Sequence, residues 1–209
     1  MEEAKVYSQA EEFANAFTHA IGALLSIYGI VMLACLSSNA LEASSTAIFG
    51  ATLFILFQSS TLYHAMVNEK AKEVFQKIDH SAIFLLIAGT YTPILLIVLP
   101  FPHSVAVMEM IWYLSITGIV YSCLALKFKY LTTGLCLAMG WLLIFLFYRM
   151  WFLYPHIVVE LLLLGGIIYS LGSIFYLLKK RYMHCIWHIF VILGAICHYF
   201  AIVDLLKSH

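Results

Sequence analysis

HCIWHIFVILGAICHYFAIVDL, residues 184–205, is the stretch from which the rest of the chain is best read. It is an apolar run near the ~20 residues that carry a helix across ~30 Å of hydrocarbon. Its first five residues, His184-Cys185-Ile186-Trp187-His188, set two histidines four positions apart at the edge of that run. On a helix, positions i and i+4 share one face, one turn apart. Two imidazoles so placed can put two nitrogens on one metal ion. Ionisable groups inside a membrane helix are costly, which makes them functional candidates. The plainer reading is that they snorkel to the interface or bond a neighbouring helix.

Composition extends this reading to the whole chain. Of 209 residues, 64% are apolar and only 11% charged. Seven apolar segments, at 14–36, 46–67, 81–99, 107–126, 131–150, 157–178 and 184–205, are each long enough to cross a bilayer. The expected fold is therefore all-α: a polytopic membrane protein of seven transmembrane helices in a single membrane domain over 1–209. Short connections make neighbouring helices antiparallel. No internal repeat suggests an inverted-repeat transporter. The zero net charge and the lack of a long basic run exclude a nucleic-acid partner. The five cysteines fall in apolar segments without a CxxC pair and read as packing residues. Glu2, Glu3, Glu11 and Glu12 against Lys5 are the wrong charge for a cleaved leader, so the first apolar run is expected to stay as a helix.

Orientation comes from the basic residues. Lys5, Lys70, Lys72, Lys77, Lys127, Lys129, Lys179, Lys180 and Arg181 fall on the side of the N-terminus, and only Arg149 and Lys207 on the other. The positive-inside rule then places the N-terminus in the cytoplasm.

With that orientation, several polar groups meet at one depth. His64 ends segment two, with Ser60 one turn earlier on its face; Asp79 opens segment three; His184 and His188 open segment seven. Three imidazoles and an open position form the pattern of a catalytic zinc site, and neutral imidazole suits zinc. Asp79 could orient a ligand or hold a bound water, and Ser60 could bond the same water; zinc lowers the pKa of such a water toward ~7. Asp79 could equally be a helix N-cap and Ser60 a small packing residue. His80 and Cys185 point away from the pair's face. His198 lies ~15 Å deeper than His188 and reads as an interhelical or pocket-lining residue. His103, His156 and His209 belong to outer loops. Glu12, Asn15, Thr18 and His19 form a polar stripe that either packs behind the site or caps the first helix. Pro93 should bend segment three, with Thr90 and Thr92 re-satisfying freed carbonyls, and such a bend could open a lipid-sized cavity.

Glu12-x-x-Asn15-x-x-Thr18-His19, Ser60-x-x-x-His64, Asp79-His80-Ser81, the run Ala88 to Pro93, and His184-x-x-Trp187-His188-x-Phe190-Val191 together resemble the bacterial hemolysin III family. That family is similar to the progestin and adiponectin receptors and more distantly to alkaline ceramidases. The resemblance covers nearly the whole chain. It implies seven helices with an intramembrane zinc on His64, His184 and His188, and Asp79 and Ser60 around the metal-bound water. It also implies a bacterial inner (plasma) membrane location and a role in membrane-lipid homeostasis. The chain lacks the long N-terminal domain of the receptors, which argues against signalling through one. Three functions follow in order: a zinc-dependent hydrolase of lipid amide or ester bonds, with membrane lipid as substrate or ligand; a receptor-like sensor with structural zinc; and a pore-forming hemolysin. The pore comes last because polarity is concentrated at one end of the helices.

Overall fold

The computed structural model describes residues 7–124, 128–178 and 180–208. Glu2, Glu3, Lys5, Lys127, Lys179 and His209, used above for charge and loop placement, lie outside the described residues, as does the end of the fourth predicted segment. Eight helices account for almost all of the described chain: α1 (Gln9–Leu36), α2 (Ala40–Ala65), α3 (Glu69–Val98), α4 (His103–Leu124), α5 (Lys129–Trp141), α6 (Ile144–Leu153), α7 (His156–Leu177) and α8 (Met183–Lys207). Helices α5 and α6 are halves of one span, so seven helical spans are long and apolar enough to cross a membrane. Among the described residues there is no strand.

The outer surface is the one a bilayer requires. Phe17, Leu24 and Val31 of α1 are 56%, 69% and 56% exposed, and large apolar side chains point outward on every span. A water-soluble protein does not carry apolar surface on that scale. Consecutive helices pack together in the pairs α1–α2, α2–α3, α3–α4 and α7–α8, and α1 also meets α8. Helix α3 is central: 72% of its apolar stretch is buried, against 11% for Lys129–Leu153. In lipid, helices hold together through close van der Waals packing rather than hydrophobic burial, and small residues permit that approach. Gly89 of α3 lies directly against Thr52 of α2, leaving no room for a Cβ.

Two local features differ from the expectation. Helix α3 begins at Glu69, not near residue 81, because the charged stretch is made of good helix formers and starts behind a proper cap. The Asn68 side chain accepts from the Ala71 amide at 3.1 Å. Asp79 is therefore an interior residue of α3 and not its N-cap. At Pro93, the hydroxyls of Thr90 and Thr92 donate at 2.8 Å to the carbonyls of Leu86 and Ala88. Neither reaches the Gly89 carbonyl, the one that proline leaves without its usual donor.

The fifth span breaks between Trp141 and Ile144 for a physical reason. Tyr91 of α3 donates its hydroxyl to the carbonyls of Met139 at 2.8 Å and Gly140 at 3.0 Å. Around them the amides of Leu142, Phe145 and Leu146 bond three residues back instead of four. A side chain inserted into the i→i−4 ladder is a recognised cause of such breaks, and irregular backbone is tolerated at this depth only where protein groups satisfy it. Replacing Tyr91 by phenylalanine should destabilise the protein by about 1–3 kcal/mol, the cost of leaving buried carbonyls unmet. Thermal unfolding in detergent checks this, and an unchanged midpoint would mean the break is held by something else.

Candidate metal centre

The last turn of α2, the start of α8 and the first half of α1 meet at one end of the bundle. His64 is in the last turn of α2. His184 and His188 occupy the first two turns of α8, which is preceded by Tyr182, a non-glycine residue in the left-handed region (φ 58°). The Tyr182 amide donates to Glu11 Oε1 at 3.0 Å, which ties the start of α8 to α1. The three imidazoles are buried, and each offers a ring nitrogen within 4.8 Å of the others; the group could hold a metal ion. His64 Nε2 and His184 Nε2 are 3.2 Å apart.

The opposite ring nitrogens are anchored. His64 Nδ1 lies 2.6 Å from Glu12 Oε2, and Glu12 Oε1 accepts from Lys72 Nζ at 2.7 Å. His188 Nδ1 donates to the Asn15 backbone carbonyl at 3.1 Å and lies 3.3 Å from Thr18 Oγ1. Hydrogen bonds at Nδ1 select the tautomer that leaves Nε2 with its lone pair facing the cluster. This is the arrangement that metal-ligating histidines adopt, and the donor set, three imidazoles, fits a borderline cation such as zinc. The polar stripe of α1 does not cap the helix. Glu11 closes a capping box with Ser8, whose hydroxyl accepts the Glu11 amide at 3.3 Å. Glu12, Asn15 and Thr18 instead stand behind His64 and His188.

The Asp79 carboxyl lies 3.7 Å from His80 Nδ1 and near His64 and the Ser60 hydroxyl. Ser60 Oγ is buried and completes no hydrogen bond of good geometry. His80 is committed elsewhere: its Nδ1 donates to the Gln76 carbonyl at 2.8 Å, and its Nε2 accepts from Tyr176 Oη at 3.2 Å. Cys185 is not part of the converging group. His198 bonds the Leu162 carbonyl of α7 at 3.3 Å and also lines the central cavity, so both of its expected roles hold. His103 and His156 are at the opposite end, where His156 stacks on Trp151 at 4.0 Å.

The sequence reading missed three residues. Tyr7, just ahead of α1, sets its ring 5.2 Å from that of His184 and 5.9 Å from that of His64. Burial first, then the carboxylates of Glu12, Glu11 and Asp79, push its hydroxyl well above the usual tyrosine range, so it stays protonated at neutral pH. Tyr176 of α7 packs beside His184 at 5.9 Å, and Lys72 braces Glu12. Nothing in local spacing marks these three, because each reaches the cluster from a distant helix or from the chain ahead of α1.

A cavity of about 160 Å³ opens from this cluster. It runs among α3, α5, α7 and α8, between mostly apolar walls, from His184, His188 and Asp79 to His198. Its head is polar and its length is greasy, a shape suited to a chain with a polar end.

The family model described as haemolysin-III related matches residues 7–199. The chain is 41% identical over 203 residues to a hemolysin-3 homolog of Bacillus subtilis, covering 95% of each. It is 40% identical to hemolysin-3 of Bacillus cereus, covering 92% of this chain and 90% of the other. It is 30% identical to the human monocyte to macrophage differentiation factor, covering 92% and 83%.

Glu12→Gln keeps the shape of the side chain and removes the carboxylate that anchors His64. The expected result is roughly 10–100-fold weaker binding of a divalent transition metal, measured by competition with a chromophoric chelator. Unchanged affinity would reduce the Glu12–His64 pair to a structural tie.

Proposed function

The chain belongs to the haemolysin III family, and from that premise we propose that it is a zinc-dependent intramembrane hydrolase of lipid amide or ester bonds, serving membrane-lipid homeostasis. The observation that supports this most is the convergence of three buried imidazoles, two of them anchored from behind, beside a carboxyl at the head of an apolar cavity. In this reading His64, His184 and His188 hold the zinc. Three protein ligands leave a position open, as catalytic sites do. When bound, zinc would supply a Lewis acid that polarises a carbonyl and makes water nucleophilic near neutral pH.

The chain's own residues do the rest. The cavity takes the lipid chain and sets its scissile carbonyl at the cluster. Ser60 Oγ, beside the Asp79 carboxyl, holds the attacking water. The Asp79 carboxylate takes a proton from that water as the carbon–oxygen bond forms. It then returns the proton to the leaving nitrogen or oxygen as the old bond breaks. Tyr7 and Tyr176 pack around His184 and keep bulk water from the reacting centre. The cluster end carries Lys70, Lys72, Lys180 and Arg181, so we place it at the cytoplasmic face of the bacterial inner membrane. The whole chain then acts as one membrane domain.

A receptor-like sensor with structural zinc is the second reading. What favours it is the Asp79 carboxyl on the His64 side of the cluster, a fourth donor if it were to join the three imidazoles. The pore reading has less support, because the cavity walls are mostly apolar and offer no rings of polar groups.

Asp79→Asn separates the first two. A hydrolase keeps its zinc in this variant and loses fatty-acid release from amide or ester lipids in proteoliposomes by about 100-fold or more, the size of a lost general base. Loss of the zinc together with any activity would instead make Asp79 a ligand. Wild-type rates in the variant would remove Asp79 from the chemistry.

A further inference from the structure

One polar side chain at the head of the cavity stands out. His19 of α1 is 4% exposed, and neither of its ring nitrogens makes a hydrogen bond of good geometry; it has only a loose approach to the His188 backbone. His19 lines the cavity, as does Ser60. The His19 ring lies flat on His188 at 3.6 Å, tilted by 14°, and meets Phe57 edge-on at 5.1 Å. Gly22 gives that phenylalanine its room: a Cβ there would lie 2.6 Å from the Phe57 ring. Wedged between two rings, His19 cannot turn away to find a partner. It also differs in kind from its neighbours. His64 and His188 have anchored outer nitrogens, and His19 is not in the converging group.

Buried polar groups are almost always paired, and an exception calls for a reason. A neutral imidazole carries one N–H and one lone pair. Fixed beside a cavity, with neither well met, it is placed to meet an incoming polar group. The long apolar walls determine what else that molecule must have. We propose that His19 binds the polar head of the lipid, donating its N–H to a carbonyl or carboxyl oxygen while the chain lies along the cavity toward His198. This rests on the reading of the cavity as a lipid site. It makes His19 a specificity-determining residue, one that selects chains with an oxygen-bearing head over bare hydrocarbon. The competing role is a plain stacking plate for His188. A phenylalanine would fill that role equally well, which is what makes the two separable.

The test uses the full-length, zinc-loaded protein. Trp141 and Trp187 line the cavity, so quenching of their fluorescence reports its occupation. The probes are bromine-labelled palmitate and bromohexadecane, alike in chain and different in head. Metal content and thermal midpoint are measured alongside. Wild type should bind the acid more tightly than the alkane. His19→Phe should keep its zinc and its alkane affinity, and lose on the order of tenfold in acid affinity, the worth of about one buried hydrogen bond. His19→Gln, which restores an N–H, should recover part of the preference. If His19→Phe does not fold, His19→Met replaces it with the same expectation. An acid preference as large as the wild type's in the phenylalanine or methionine variant overturns the proposal. So does loss of zinc in a folded variant, which would make His19 a metal ligand. A wild type that binds neither probe overturns the lipid-site reading itself, and this inference with it.

Discussion

The structure turns on bringing three imidazoles together at the end of a membrane bundle and holding two of them, His64 and His188, in one orientation. A ring nitrogen buried without a partner is costly in a medium that offers no water. The sequence meets this cost from a third helix. Glu12 takes His64 Nδ1, and the Asn15 carbonyl takes His188 Nδ1, so both inner nitrogens face the same point. Helix α1 is thus more than a first span: it fixes α2 and α8, which carry the three histidines. The Tyr182 amide on Glu11 and Lys72 on Glu12 tie the same three-helix junction to the chain around it.

The cavity has its own cause. Helix α3 is buried on most of its surface, whereas the span from Lys129 to Leu153 packs lightly. Tyr91 interrupts that span at the depth where it faces α3. The space left among α3, α5, α7 and α8 reaches the histidines. Tight packing on one side of the bundle and loose packing on the other gives a rigid cluster at the head of an open apolar space.

The seven spans were legible in the sequence, because hydrocarbon length leaves its mark on composition. The cluster was legible too: His184 and His188 share a helix face by spacing alone, and the antiparallel order of short-looped helices brings His64 to the same end. The start of α3 was not, because charge at residues 70–77 looks like a loop until the helix-forming character of Lys, Glu and Ala is weighed against it. The α1 stripe could be located but not interpreted, since a cap and a backing group use the same residue types. Only the contacts show Glu11 capping and Glu12 bonding His64. Tyr7 and Tyr176 left no trace in local spacing, as each meets the cluster only through the fold.

The most direct test of the metal centre is elemental analysis of the purified protein, wild type beside His188→Ala. The expected result is about one zinc per chain in wild type and little or none in a folded variant. A folded wild type without zinc, or a variant that keeps it, would contradict the central claim.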